Sequence, residues 1–211
     1  MPLGLYIFNY NFYNRLYTNN SVFQVLDKQD VKVMTYKVFD FFKYMGDLEG
    51  DVGYADPAVG QALFFDDKQV SHMEDVRDLL KNIFIFFSIC LILFLILFLV
   101  TLLIHKKNPA KRTGLVFLWS SAVVFFLMLL LFLLATNFSS LFDRFHAAFF
   151  PQGNYMFPEG SLLITMFPFG FFFDFFITLA LSSCVLAAAV LAAGIFLFLS
   201  AKRREKNRFA G

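Results

Sequence analysis

The chain is short of the residue types from which most sites are built. Among 211 residues there are two cysteines and three histidines. Cys90 and Cys184 both fall inside apolar runs, which excludes a disulfide framework. A thiol surrounded by hydrocarbon stays neutral, so a cysteine nucleophile is excluded too, and each cysteine serves as a small hydrophobe. There is no phosphate loop, no dinucleotide motif and no internal repeat. Ser71 lacks the Gly-x-Ser-x-Gly elbow of a serine hydrolase. Charge is scarce as well, at 16% of residues and a net +2, and it is absent from three long stretches.

Those stretches dominate what is present. The composition is 59% hydrophobic with 33 phenylalanines, more than a water-soluble core of this size can hide. Residues 83–104, 114–136 and 174–200 are each long enough to cross a bilayer as a helix, for which about 20 apolar residues suffice. The third exceeds the minimum and is expected to tilt or project. Helices are the expected form, because an open strand leaves backbone polar groups unpaired in lipid. No span carries a charge at mid-membrane, which argues against an ion or proton path. Asp174, at the start of the third run, reads as an N-cap.

Basic residues set the expected orientation. Loop 105–113 holds Lys106, Lys107, Lys111 and Arg112, and the tail 201–211 holds Lys202, Arg203, Arg204, Lys206 and Arg208 against Glu205. The positive-inside rule places both in the cytoplasm. These basic runs are topological anchors, and nucleic acid is not an expected partner. Segment 1–82 and loop 137–173 then face each other outside. So long a leading segment needs a signal or an upstream helix to be translocated. Met1-Pro2-Leu3-Gly4 is followed at once by aromatic and polar residues, so a helix before Leu3 is expected to be missing. The alternative is that the first span draws its own N-terminus across.

Both outer segments read as folded. Asp27 is placed to cap a helix carrying Val31, Met34, Val38, Phe41, Phe42 and Met45 on one face, closed by Gly46 to Gly50. That face is expected on the membrane surface or on the other outer segment. Residues Tyr6 to Tyr13 mix aromatics with Asn, as interfacial belts do. Asp66 and Gln69 fit a capping box for a second helix, with Ser71 and Glu74 as a competing start. The earlier start puts Val70, Met73, Val76 and Leu80 on one side and leads into the first span. In the second outer segment, Pro151 and Gly153 break a helix and free Gln152 and Asn154 to point inward.

His105 lies in the basic loop and reads as a solvated flank. His72 and His146 both fall at the outer surface in apolar, aromatic surroundings, which points to a shared site. Asp75, three residues from His72, shares its helix face and is expected to hydrogen-bond it. Zinc is not expected, since a catalytic zinc takes three protein ligands and no metal motif is present. In the third span Ala180, Cys184, Ala188 and Ala192 form a small-residue stripe expected to pack on a neighbouring helix.

The run from Ala62 to Arg77, with Ser71-His72-Met73 and Asp75-Val76 at its centre, resembles the lipoprotein intramolecular transacylase (Lit) family of bacterial membrane enzymes. A stretch such as Phe-Ser-Glu-Arg-Glu-Leu-Ser-His-Met-x-Asp-Val precedes a membrane helix in that family, and Asp66 stands here where Ser is common. Phe145-His146 and Phe149-Phe150-Pro151-Gln152-Gly153-Asn154 resemble its second motif. The resemblance extends from Tyr6 to the end of the third span. It implies an all-α membrane protein with an extracytoplasmic cap, and four transmembrane helices where three are visible. It also implies a bacterial cytoplasmic-membrane location and transfer of an sn-2 acyl chain within a diacylglyceryl lipoprotein to the α-amino group of its N-terminal cysteine. The product is a lyso-form lipoprotein, and no cofactor is implied. His72 and His146 become the catalytic pair and Asp75 a supporting residue. His72 is preferred as base, with the reverse order open. Asn9, Tyr10, Gln152 and Asn154 are expected to bind substrate, in a cleft lined by Phe64, Phe65, Tyr10, Tyr13, Phe149, Phe150 and Tyr155. Two other readings compete: a lipid esterase using the same pair with water, and a non-catalytic assembly or binding protein. Membrane lipids are expected partners in each.

Overall fold

The computed structural model describes residues 2–45, 54–55, 62–63, 65–104 and 108–209. Eight α-helices account for most of these: α1 (Pro2–Tyr6), α2 (Tyr10–Asn19), α3 (Lys28–Phe42), α4 (Asp67–Ile104), α5 (Pro109–Ala135), α6 (Phe138–Phe149), α7 (Leu162–Met166) and α8 (Phe169–Phe209). The one sheet among the described residues is a two-residue ladder, with Tyr54 opposite Leu63 and Ala55 opposite Ala62. The chain divides into two units, residues 1–83 with 137–178, and residues 84–136 with 179–211.

The first unit is organised around aromatic rings. Phe12, Tyr13, Leu16 and Tyr17 of α2, Val31, Met34, Val38, Phe39 and Phe41 of α3, Leu162, Leu163 and Met166 of α7, and Phe171 of α8 form one buried cluster. The α3 face packs on α2, through Thr35 to Tyr17 and Phe39 to Tyr13, within a cluster that α7 also joins. Met45 falls beyond the helix and is exposed. Phe12 and Tyr13 are core residues rather than a belt, and they pack edge-on against Phe175 and Phe171 respectively. Edge-to-face pairs place ring hydrogens on the π-face, worth about 0.5–1.5 kcal/mol beyond area burial. Tyr17 is fully buried, and its hydroxyl exchanges a 2.9 Å bond with Thr35, whose own hydroxyl donates to the Val31 carbonyl. Burial pushes the Tyr17 phenol well above its ordinary pKa, so it stays neutral.

Both expected caps form. Asp27 accepts from the amides of Gln29 and Asp30, and Asp66 accepts from the Gln69 amide at 2.8 Å. The Gln69 side chain returns to the Asp66 carboxylate rather than to its backbone. Helix α4 thus takes the earlier of the two starts, with Val70 and Met73 buried beneath it. Helix α3 ends at Phe42 with Lys43 as its cap, and Tyr44 adopts a left-handed φ of 58°; the expected Gly46–Gly50 closure lies outside the described residues.

Asp174 is not a cap. Helix α8 begins at Phe169, and the Asp174 carboxylate accepts from the Asn20 side chain at 3.0 Å. Proline at 168, which cannot continue a preceding helix but suits a following one, explains the earlier start.

In the second unit the apolar parts of α4, α5 and α8 qualify by length and composition as three membrane spans. Their outer surfaces expose Leu91, Phe126, Val185 and Phe196, among many others. Apolar surface on this scale calls for lipid rather than water. Helices α5 and α8 touch at glycine: a Cβ on Gly114 would lie 2.9 Å from the Gly194 carbonyl oxygen and 2.8 Å from the Phe198 amide. The expected small-residue stripe is displaced. Ala188 and Ala192 are exposed, and the buried line runs through Ala187, Gly194 and Ala201. Steps of four residues advance about 400° and drift across a helix, whereas steps of seven advance about 700° and stay on one seam. At one end of this seam Lys111 pairs with Glu205 at 3.0 Å. Lys111 and Arg112 belong to the first turn of α5 rather than to a loop, because Pro109 opens the helix. His105 lies outside the described residues.

Candidate active site

His72 and His146 meet within the first unit. Helix α4 delivers His72 in its second turn, ahead of the uncharged run that begins at Ile83. Helix α6 delivers His146 one turn before its C-terminal cap at Phe150. The two imidazoles lie 6.0 Å apart between centroids, 23° from parallel. Phe150, only 2% exposed, packs against both, at 4.7 Å from His72 and 5.6 Å from His146. Phe157 closes on His72 at 5.5 Å, while Tyr155 and Phe142 flank His146 at 5.0 and 4.2 Å. The rings thus sit side by side in an aromatic frame.

Their environments differ. His72 is 7% exposed. Burial lowers its pKa first and the neighbouring His146 lowers it further, while the Asn154 side chain and the charge of Asp75 act in the opposite sense. His72 is therefore neutral at pH 7. His146 Nδ1 lies 2.8 Å from the Phe142 carbonyl. A carbonyl only accepts, so Nδ1 carries the proton, and the neutral ring keeps its lone pair on Nε2. Phe142 was not expected in the site, although its position four residues before His146 on a helix marks that carbonyl as a reachable acceptor.

Asp75 does not hydrogen-bond His72. Its Oδ2 accepts from the side chains of Asn154 at 2.6 Å and Gln152 at 2.5 Å. The turn after α6 makes this possible: the Gly153 amide donates to the Phe150 carbonyl, and Gly153 takes a φ of 75° that a side chain would strain. Lys68 secures the same segment by donating to the Met156 carbonyl at 2.6 Å. Asn154 is half-buried and Gln152 exposed, and the NH₂ groups of both are taken by the Asp75 carboxylate. Two buried polar atoms stay without a hydrogen-bond partner here, His72 Nδ1 and Asn154 Oδ1.

The remaining expected residues lie elsewhere. Asn9 caps α2 by accepting from the Phe12 amide, and Tyr10 stacks on Tyr36. Neither is brought to the imidazoles, because the polar group of Asn9 is used to start a helix and Tyr10 leans on α3. Tyr13 and Phe65 are core residues, Phe149 is exposed, and Phe64 lies outside the described residues. Phe157, whose ring faces His72, was missed because no spacing rule links it to α4.

Helices long and apolar enough to span a bilayer, together with a pair of adjacent histidines in the other unit, define an all-α membrane protein with an imidazole site. The sequence profile described as "Lipoprotein intramolecular transacylase Lit" matches residues 3–172, and the chain belongs to that family. An uncharacterized protein of Aquifex aeolicus (strain VF5) is 31% identical over 131 residues, which is 62% of this chain and 56% of that protein. The chain thus spans little more than half of that relative. No solved structure matches.

Proposed function

We propose that the chain is an intramolecular acyltransferase acting on the N-terminus of a diacylglyceryl lipoprotein, with His72 and His146 as its proton-transfer pair. The observation that supports this best is the adjacency of two imidazoles, one of them with its Nδ1 committed to the Phe142 carbonyl. The α-amino group of the substrate is an ammonium in its resting form and becomes an amide. It must shed two protons, one going to solvent and the other to the glyceryl oxygen. The C–N bond forms as the sn-2 C–O bond breaks, so no water and no cofactor enters the balance.

In this reading His146 Nε2 removes the first proton, since its Nδ1 is committed to Phe142. This reverses the order preferred from sequence, where Asp75 was expected beside His72. His72, neutral in its buried position, takes the second proton as the tetrahedral centre forms and returns it to the departing oxygen. The neighbouring His146 helps to keep His72 neutral, so that ring is available as a base near neutral pH. The cyclic transition state joins both ends of one molecule through a medium-sized ring. Holding the ends together is worth several kcal/mol, and Phe150, Phe157 and Tyr155 supply walls that exclude water. The site lies outside the cytoplasm, with loop 105–113 and the tail inside, and Asp75 supports the site through Gln152 and Asn154.

The test is mass spectrometry of a synthetic diacylglyceryl lipopeptide incubated with the membrane-embedded chain. The expected product keeps the substrate mass and gains an amide-linked acyl chain on its N-terminal cysteine fragment. His72→Ala and His146→Ala each lower its rate by roughly 10²–10⁴-fold, the usual scale of acid–base catalysis. Free fatty acid in place of that product would identify an esterase. No turnover by the unsubstituted chain, or full turnover by both variants, would leave a binding role.

A further inference from the structure

The Asp75 carboxylate fixes which way the Asn154 amide points. A carboxylate only accepts, so the NH₂ end faces Asp75 and the carbonyl end, Oδ1, is turned away. That Oδ1 is one of the two unpartnered buried atoms of the site, and His72 Nδ1 is the other. An acceptor and an imidazole nitrogen left over at one buried site have a single favourable arrangement, each as the other's partner. With the proton on Nδ1 they are donor and acceptor. With the proton on Nε2 both atoms would be acceptors buried away from water, and an unmade buried hydrogen bond costs about 1–3 kcal/mol.

We infer that Asn154, anchored by Asp75, is a positioning residue that holds His72 as its Nδ1–H tautomer and leaves Nε2 bare. Gln152 steadies the same carboxylate from its other side. Asp75 thus reaches the imidazole through an intervening amide instead of directly. The sense in which Asn154 influences His72 agrees, since it favours the protonated ring. The charged and titratable groups acting on His72 are His146 from α6 and Asp75 from its own helix. The ammonium of Lys68 is engaged by the Met156 carbonyl and lies over Phe157. The catalytic use of this arrangement rests on the proposed function; the arrangement itself does not. For the transfer it means that both imidazoles offer Nε2, His146 because Phe142 takes its other nitrogen and His72 because Asn154 does.

Three histidines in the chain make the tautomer directly readable. The full chain is labelled with ¹⁵N-histidine and reconstituted in lipid nanodiscs, and signals are assigned with His105→Gln and His146→Gln. Above its titration, His72 is expected to show a protonated Nδ1 and a bare Nε2. In Asn154→Ala the ratio of Nδ1–H to Nε2–H falls at least about five-fold, the factor one ordinary hydrogen bond supports. Asp75→Ala, which frees the amide to rotate, gives a smaller fall in the same direction and carries the test if Asn154→Ala does not fold. Gln152→Ala loosens the same segment but leaves Asn154 in place, and keeps the wild-type tautomer. An Nε2–H ring in the wild type overturns the inference. So does an unchanged ratio in the first two variants, or an equal loss in Gln152→Ala. The expected tautomer in a chain that forms no N-acylated product would sink the transacylase reading and leave this one standing.

Discussion

Replacing Gly170 with Ala destabilises the first unit, and the same replacement stabilises it once Asn20 has been removed. A Cβ built on Gly170 lies 2.1 Å from Asn20 Oδ1, with nothing else except that side chain's own Cγ within 4 Å. Asn20 must therefore rotate away. Its Nδ2 gives up a 2.9 Å bond to the Leu16 carbonyl, which closes the C-terminus of α2, and a 3.0 Å bond to the Asp174 carboxylate. A neutral bond contributes about 1 kcal/mol and one to a charged group about 1.5–3 kcal/mol. The Asn20 and Asp174 side chains are partly exposed and regain water, and the Leu16 carbonyl keeps the Asn20 backbone amide, so a loss of about 2 kcal/mol is expected. Against it stands the better helix propensity of Ala, at most about 1 kcal/mol and less so near a helix start. The net is a destabilisation of about 1–2 kcal/mol. In the Asn20→Ala background the obstructing atom is gone and the two bonds are already lost. Gly170→Ala then gains up to about 1 kcal/mol, which makes a coupling of about 2 kcal/mol between the sites. Pulse proteolysis in mild detergent suits the measurement, because the single tryptophan, Trp119, sits in the second unit and does not report on this one. Equal effects of Gly170→Ala in both backgrounds would refute the reasoning, since the cost would then come from the helix and not from the displaced amide.

Four further outcomes follow from the same structure. The pKa of His72 is lowered, so its neutral form is favoured by folding. Stability and kcat/KM should be full above its ordinary value of about 6.5 and fall as pH drops through its lower folded value. His146→Gln removes the like charge beside it and should move the His72 titration upward, readable by ¹⁵N shifts. Phe150→Ala deletes a ring that touches both imidazoles and should cost about 3–5 kcal/mol, seen by pulse proteolysis. By opening the site to water it should also raise the share of free fatty acid among the products. In the second unit, Gly194→Ala drives a methyl group to 3.0 Å from Phe117 Cβ and 3.1 Å from the Gly114 carbonyl oxygen. Separating the two backbones should cost about 1–3 kcal/mol, measured as loss of resistance to denaturing detergent.

The amino-acid sequence by itself determined the elements whose causes are local. Uncharged runs long enough for a bilayer became α4, α5 and α8, because lipid permits such a segment no alternative to internal backbone pairing. Asp27 and Asp66 became caps because an amide two or three residues on is always within reach of their carboxylates. His72 and His146 stood out by scarcity, being two of three histidines in a chain with few other proton-transfer groups at neutral pH. Only the tertiary structure decided what those groups touch. Asp75 shares a helix face with His72, yet two amides arriving from about eighty residues away compete for its carboxylate and win it. Asn9 and Tyr10 look suited to a substrate in sequence, but a helix start and Tyr36 engage them first. The buried seam of α8 passes through Ala187 and Gly194 instead of the four-residue stripe, because the seam is set by where α5 lies. Spacing along a chain fixes which atoms can meet within a few turns. Which of several possible partners a polar group takes depends on the atoms that packing brings from afar, and the orientation of the Asn154 amide is of that kind.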